Sequence, residues 1–158
     1  MATNNLWEAA GDGQLEAVQQ AITTGGYTAM SADENGYTPI HAAAAWGHME
    51  MLDWLLSQPG ADPCVRDSDG DTPLHHLAVA ELPKEKCTQV ATRLLAAGAA
   101  WDHKNGEGHT PQEAAVEMAA GGEGEGGQTG FEQFLEVAVE LGAPVVKLPE
   151  PEPVDADD

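Results

Sequence analysis

Basic side chains are the scarcest component of this chain. Its 158 residues hold six Lys and Arg against 27 Asp and Glu, a formal net charge of −21. No Lys or Arg precedes Arg66, whereas Glu8, Asp12, Glu16, Asp33, Glu34, Glu50, Asp53 and Asp62 all do. A protein that grips phosphate backbones needs a basic face to release counterions. The composition therefore argues against direct binding of DNA or RNA, and equally against docking on an anionic membrane surface. An acidic surface instead favours cationic partners and keeps the molecule in solution.

Other shortages narrow the class further. Cys64 and Cys87 are the only cysteines, too few for a disulfide scaffold and not spaced as a zinc framework. No apolar run approaches the ~18 residues that a membrane span needs. The N-terminus has no basic segment followed by an apolar stretch, so a secretory signal is not expected. These features point to a reducing compartment, cytosol or nucleus. Aromatics are 5% of the chain while apolar residues are 42%, so the core must be mostly aliphatic and small. The length fits one domain with a core of useful size.

What is present is a repeat. Gly36-Tyr37-Thr38-Pro39-Ile40-His41 returns 34 residues later as Gly70-Asp71-Thr72-Pro73-Leu74-His75. A degraded copy, Gly108-His109-Thr110-Pro111-Gln112-Glu113, follows after a further 38. Matching second halves lie between these marks. Gly47-His48 and Met49 to Leu56 run into Gly60-Ala61-Asp62, Val90 to Leu95 into Gly98-Ala99-Ala100, and Val137 to Leu141 into Gly142-Ala143-Pro144. An earlier copy without the Thr-Pro start spans Leu6 to Gly26.

The physics of one unit is legible. Thr can cap a helix by accepting a bond from a first-turn amide. Pro next to it needs no amide partner and has φ already set. Ala-rich positions then make a short first helix, and Gly47 breaks it. Met51, Leu52, Leu55 and Leu56 carry the i, i+3, i+4 spacing of a second helix. Gly60 is expected to end that helix in a left-handed turn. Asp33 to Gly36 and Asp67 to Gly70 supply turn chemistry. One such unit cannot bury its own apolar face, so the units must stack.

Asp33-Glu34-Asn35-Gly36-Tyr37-Thr38-Pro39-Ile40-His41-Ala42-Ala43, with Gly47-His48 and Gly60-Ala61-Asp62, resembles the ankyrin-repeat family. The resemblance covers about residues 4–146 and implies an all-α solenoid of about four helix-turn-helix units with hairpin-like turns. Its units run over about 4–32, 33–66, 67–104 and 105–146, followed by an acidic, Pro-rich tail at 147–158 that is expected to be disordered. The chain resembles most the small, free-standing acidic eukaryotic members without a catalytic domain, and is expected to act as a monomer. It departs from the pattern at several points. An insertion around Glu81-Leu82-Pro83-Lys84-Glu85 separates the helices of the third unit. A glycine-rich acidic stretch, Gly121 to Gly130, interrupts the fourth and reads as a flexible loop. His76 and Leu77 stand where the family usually has Leu and Ala. Cys64 occupies a turn position often held by Asn, so hydroxylation of that side chain is not available there.

Several constellations could carry chemistry. Asp67-Ser68-Asp69-Gly70-Asp71 looks like the start of a calcium loop, but its Gly is fourth rather than sixth and its twelfth residue is Ala78. An acidic turn is the better reading. Cys64, His75, His76 and Cys87 fit no zinc framework. The resemblance makes His41, His75 and His48 structural, bonding within and between units. No Gly-x-Ser-x-Gly elbow, phosphate loop or His-Glu-x-x-His helix occurs. No metal, cofactor or catalytic activity is expected.

Surface recognition remains. In the resembling family, partners dock on the concave side, formed by turn tips and the exposed face of the first helices. Carried over by alignment, that face includes the first-helix positions Ala45, Trp46, Val79, Ala80, Glu117 and Met118 beside the turn tips, and the candidate partner-binding residues on it are Asp12, Glu34, Asn35, Tyr37, Trp46, Asp69, Asp71, Glu107 and His109. Tyr37 and Trp46 ringed by carboxylates are what a basic peptide would need for a hot spot. The plainer reading is that Trp46 caps a helix end and Tyr37 packs on the next turn. Trp7 and Trp54 fall at buried positions of the pattern, and Trp101 fits either role. The expected function is binding of a basic protein or Lys/Arg-rich segment, in the narrower form an escort for a nucleic-acid-binding protein. The alternative is a scaffold or regulatory subunit with an apolar, shape-based interface.

One consequence follows from charge alone. Like charges in excess strain the fold by self-repulsion, and salt screens them. The melting temperature should therefore rise with moderate salt in a calorimetric or circular-dichroism melt. An unchanged or falling value would mean that the carboxylates are already neutralised.

Overall fold

Each Thr-Pro pair does what its chemistry suggests. In a computed structural model that describes residues 5–121 and 130–146, the Thr38 hydroxyl accepts from the His41 amide at 3.4 Å, and the Thr38 amide donates to His41 Nδ1 at 3.1 Å. Thr72 and His75 repeat the second bond at 3.1 Å. Such a capping box satisfies amides that a helix start would leave unpaired. Pro39 and Pro73 then open helices α3 (Pro39–Trp46) and α5 (Pro73–Ala78). Two further first helices are α1 (Leu6–Gly11), capped by Asn5, and α7 (Pro111–Gly121). In α7 the box is closed by Glu113, whose carboxylate accepts from the Thr110 amide at 2.8 Å.

Each first helix is followed by an antiparallel partner: α2 (Leu15–Thr23), α4 (Met49–Leu56), α6 (Lys84–Ala96) and α8 (Gly130–Glu140). The helices form two layers. The first layer packs α1 on α3, α3 on α5 and α5 on α7, and the second packs α4 on α6 and α6 on α8. Ala42, Ala43, Ala44 and Ala78 are wholly buried between them. Small side chains allow this close approach, while Leu52, Leu55, Leu74, Leu94 and Phe134 fill the space behind. The described residues contain no strand.

The turns between units share one construction. Asp33 Oδ1 accepts from the amides of Asn35 and Tyr37 at 2.8 and 3.0 Å. Asp67 does the same for Asp69 and Asp71, and the Asn105 side-chain Oδ1 for Glu107 and His109. Gly36, at φ +72°, completes its turn, and a β-carbon there would stand 2.9 Å from the Ser68 nitrogen. That closeness lets the tips bond in series, Ser68 amide to Asn35 carbonyl at 2.8 Å and Gly106 amide to Asp69 carbonyl at 2.7 Å.

Two boundaries differ from the expectation. Helix α4 ends at Leu56, before Gly60. Pro59 has no amide to continue the ladder. The side chains of Ser57 and Gln58 also bond to the Trp54 carbonyl, at 2.5 and 3.1 Å. The insertion of the third unit is shorter than expected, because Lys84 and Glu85 already belong to α6 behind Pro83. The glycine-rich loop and the acidic tail, apart from the loop's end residues Gly121 and Gly130, lie outside the described residues.

The units are joined by histidine. His41 Nε2 lies 2.9 Å from the Asp71 carbonyl, and His75 Nε2 lies 2.8 Å from the His109 carbonyl. A carbonyl only accepts and the threonine amide only donates, so each ring must be the neutral tautomer with its proton on Nε2. Burial holds both rings below the ordinary histidine value of 6.5. The unfolded chain then binds protons that the folded chain refuses, so stability should be complete above pH 6.5 and fall as pH drops below it. Replacing His75→Leu leaves the Thr72 amide and His109 carbonyl unpaired. It should cost about 2–4 kcal/mol in urea denaturation at neutral pH and reduce the acid dependence.

Candidate protein-binding face

The carboxylates of the turn tips face two different duties. Both oxygens of Asp67 are engaged, Oδ1 by two amides and Oδ2 by His76 Nε2 at 2.7 Å. Burial pushes the Asp67 carboxyl up, but bonds from His76 and the Asp71 and Asp69 amides outweigh it and hold the group below the usual carboxylate range. Asp71 accepts from the Asn105 side chain at 2.9 Å. Asp67, Asp69 and Asp71 lie close enough to share a cation, yet Asp67 is occupied by its own turn and His76 and Asp71 by Asn105 of the next turn. His41, Asp67 and His76 also converge, but both His41 nitrogens are taken by Thr38 and Asp71. Neither grouping is a free ligand set, and no converging group among the described residues includes a cysteine.

Tyr37 belongs to the fold. Its ring stacks on His41 at 5.6 Å and 19° and meets His76 edge-on at 5.3 Å. Burial, then Asp33 and Asp67, push its phenol up. Trp46 is the opposite case. It ends α3 with 62% of its surface exposed, and its indole leans over Gly11. Trp7 and Trp54 are half-buried at the edge of the core, Trp7 donating its ring N–H to the Ser31 carbonyl at 3.0 Å. Trp101 packs edge-on against Phe134 at 6.0 Å.

Of the remaining candidates, Asp12, Glu34, Asn35, Asp69 and Glu107 are exposed. Ser68, Asp69, Asp71, Asn105, Gly106 and Glu107 line a depression of about 470 Å³ between the third and fourth tips. His109 is half-buried, its carbonyl bound to His75. Its Nδ1 is shielded from water and lies 3.0 Å from Glu117 and 3.8 Å from Glu107, off the line of a hydrogen bond. The structure thus brings the acidic tips together and withdraws Tyr37 and Asp71 into the unit joints. It also exposes Val79 and Met118, which the alignment places on the same face; Met118 stands seven residues after Pro111, as Trp46 does after Pro39. His76 as a link to Asp67 was missed because a histidine on an apolar helix face carries no mark of its partner.

Paired helices stacked in two layers, with turn tips bonded in series, define a helical repeat solenoid that presents tips and first-helix ends on one face. Residues 6–105 match the family model described as ankyrin repeats in three copies, and the chain belongs to the ankyrin-repeat family. It is 47% identical over 72 residues to "Ankyrin repeat-containing protein P1E11.10" of Schizosaccharomyces pombe, covering 46% of this chain and 34% of the relative. It is 37% identical over 76 residues to protein phosphatase 1 regulatory subunit 12A of Mus musculus, covering 48% and 7%. It is 35% identical over 89 residues to "SH3 and multiple ankyrin repeat domains protein 2" of Homo sapiens, covering 56% and 4%. The matched part is thus about a third of the first relative's length and far less of the other two.

The two aromatic candidates should separate in a stability measurement. Trp46→Ala removes an exposed ring and should change unfolding free energy by less than about 0.5 kcal/mol. Tyr37→Ala removes a ring packed between His41 and His76 and should cost about 1–3 kcal/mol. Urea denaturation of the two variants checks both values.

Proposed function

We propose that this chain is a non-enzymatic protein-binding module whose partner is a basic protein or a Lys/Arg-rich segment, held on the acidic concave face. Separation of charge carries the reading. Lys84 Nζ lies 3.1 Å from Glu136 and 2.9 Å from Glu140, and Arg93 Nε lies 2.5 Å from Asp53. These cations are therefore compensated on the second-layer helices. Arg66 is turned to the Lys104 carbonyl at 2.6 Å and to His103 at 3.2 Å. Asp12, Glu34, Asp69 and Glu107 have no Lys or Arg partner among the described residues. An acidic strip of this kind steers and holds cationic surfaces. The narrower form of the reading is an escort in cytosol or nucleus. It would shield the cationic surface of a nucleic-acid-binding protein, such as a ribosomal protein or histone, until delivery.

A second reading is a scaffold or regulatory subunit with an apolar interface. The exposed Trp46 favours it, as does likeness to a relative named as a phosphatase regulatory subunit.

Affinity capture from native extract at low and high salt, with mass-spectrometric identification, tests the choice. The control is the triple variant Glu34→Lys, Asp69→Lys, Glu107→Lys, whose side chains the turns do not use. A basic protein should be enriched at low salt and lost at high salt and in the variant. A neutral or acidic partner that persists at high salt and in the variant would replace this reading with the scaffold.

A further inference from the structure

Three positions are equivalent in every Thr-Pro unit: the third and fifth residues of the turn, and the sixth residue after the Pro. They are Asn35, Tyr37 and Ala45 in the second unit, and Asp69, Asp71 and Val79 in the third. In the fourth they are Glu107, His109 and Glu117. Ala45 and Val79 carry no donor atom, so the fourth unit alone fills all three places with groups that can hold a metal ion. Glu107, His109 and Glu117 each bring one such atom, and the three atoms lie within 4.8 Å of one another.

The arrangement suits a shared cation better than a hydrogen bond. His109 Nδ1 is shielded from water and has no hydrogen-bond partner, although Glu117 Oε2 lies 3.0 Å away and Glu107 Oε2 3.8 Å. A hydrogen bond needs its acceptor near the line of the N–H. A metal ion takes that line itself and holds its other ligands to the side. A tetrahedral ion with bonds of about 2.0–2.1 Å sets its donors about 3.3 Å apart, between the two distances found. The donors are also held in place. Asn105 Oδ1 accepts from the amides of Glu107 and His109, each at 3.0 Å, and the His109 carbonyl accepts from His75 at 2.8 Å. Glu117 stands on α7, one turn beyond the capping Glu113. Neither glutamate has a Lys or Arg partner among the described residues. An imidazole with two carboxylates suits zinc, whereas calcium and magnesium favour a full shell of oxygen ligands.

We propose that Glu107, His109 and Glu117 form a zinc site. Three protein ligands leave the fourth position of a tetrahedral ion open, to water or to a donor atom of a partner. The site ties the fourth turn to α7 and neutralises carboxylates that the fold brings together. It is independent of the reading of the partner as basic, since it needs only side chains of one unit.

Zinc titration of the full chain in excess magnesium tests it, with magnesium there to screen the carboxylates scattered over the surface. Calorimetry should show one zinc ion bound per chain at the tightest site. Side-chain nitrogen NMR should show His109 ligated through Nδ1, while His41 and His75 keep their resonances. Glu117→Gln removes one donor at an exposed position and should weaken zinc binding at least about tenfold. Glu16→Gln makes the same change of charge on an exposed residue of α2 and should leave binding unchanged. A thermal melt checks the fold of both variants. Absence of stoichiometric zinc would overturn the site, as would bound zinc that leaves His109 Nδ1 unmoved. No weakening by Glu117→Gln, or equal weakening by both variants, would also overturn it, since the ion would then be held elsewhere or by overall charge. Capture of a basic partner depends on none of these results.

Discussion

An imidazole bonded on both sides holds this structure together. His41 and His75 each accept a threonine amide at the start of their own helix and donate to the carbonyl of the next turn. One neutral side chain thus fixes a helix cap and a unit joint together. In a solenoid each unit touches only its neighbours, so joints decide whether the units behave as one body. The fourth unit keeps half of the device. Glu113 caps α7, but a carboxylate only accepts and has no donor with which to reach a carbonyl further on. Its neighbour Gln112 holds the buried position of Ile40 and Leu74, and its Nε2 reaches the Pro144 carbonyl at 3.3 Å while its Oε1 is buried without a partner. The first joint uses a different histidine, His48, whose Nε2 donates to the Gly11 carbonyl at 2.9 Å.

Stacking equal units in register also stacks their charges. Turn tips bearing Glu34, Asp69 and Glu107 are brought side by side by the backbone bonds between them. Like charges at such spacing oppose the fold. The bonds between tips are short-range and little affected by salt, whereas the repulsion is long-range and screened. The fold therefore tolerates a carboxylate strip that electrostatics alone would disperse. A surface kept at a cost in stability is a reasonable place to look for binding.

The sequence made the repeat, its caps and most of its helices legible because those depend on local chemistry. Thr-Pro, the glycines and the i, i+3, i+4 spacing each act within one turn of chain. The errors fall where the deciding contact is distant or where two local signals compete. Gly60 carries a left-handed turn, yet Pro59 and the side chains of Ser57 and Gln58 stop α4 first. Tyr37 reads in the sequence either as a partner contact or as a ring packed on the next turn, and only the arrival of His76 beside His41 shows how it is enclosed. His76 belongs to another unit, and its pairing with Asp67 has no local signature. Among the candidate residues, exposure of the acidic tips was readable from turn chemistry. Which carboxylates the turns would occupy was not, because that depends on Asn105 and His76 arriving from elsewhere in the fold.

The insertion of the third unit shows how a departure from the repeat can tie neighbouring units together. Helix α5 ends at Ala78, six residues long where α3 has eight. The chain then turns through Glu81 at φ +54°, a left-handed conformation unusual for a residue with a side chain. Leu82 covers Gly47 on one side, and the Glu81 backbone fills the space above Gly130 on the other. A longer and looser loop would have satisfied connectivity with less strain. Glycine at 130 is therefore needed for close approach. This wedge seats the chain after α5 against the end of α3 on one side and the start of α8 on the other, so the insertion ties the third unit to both of its neighbours.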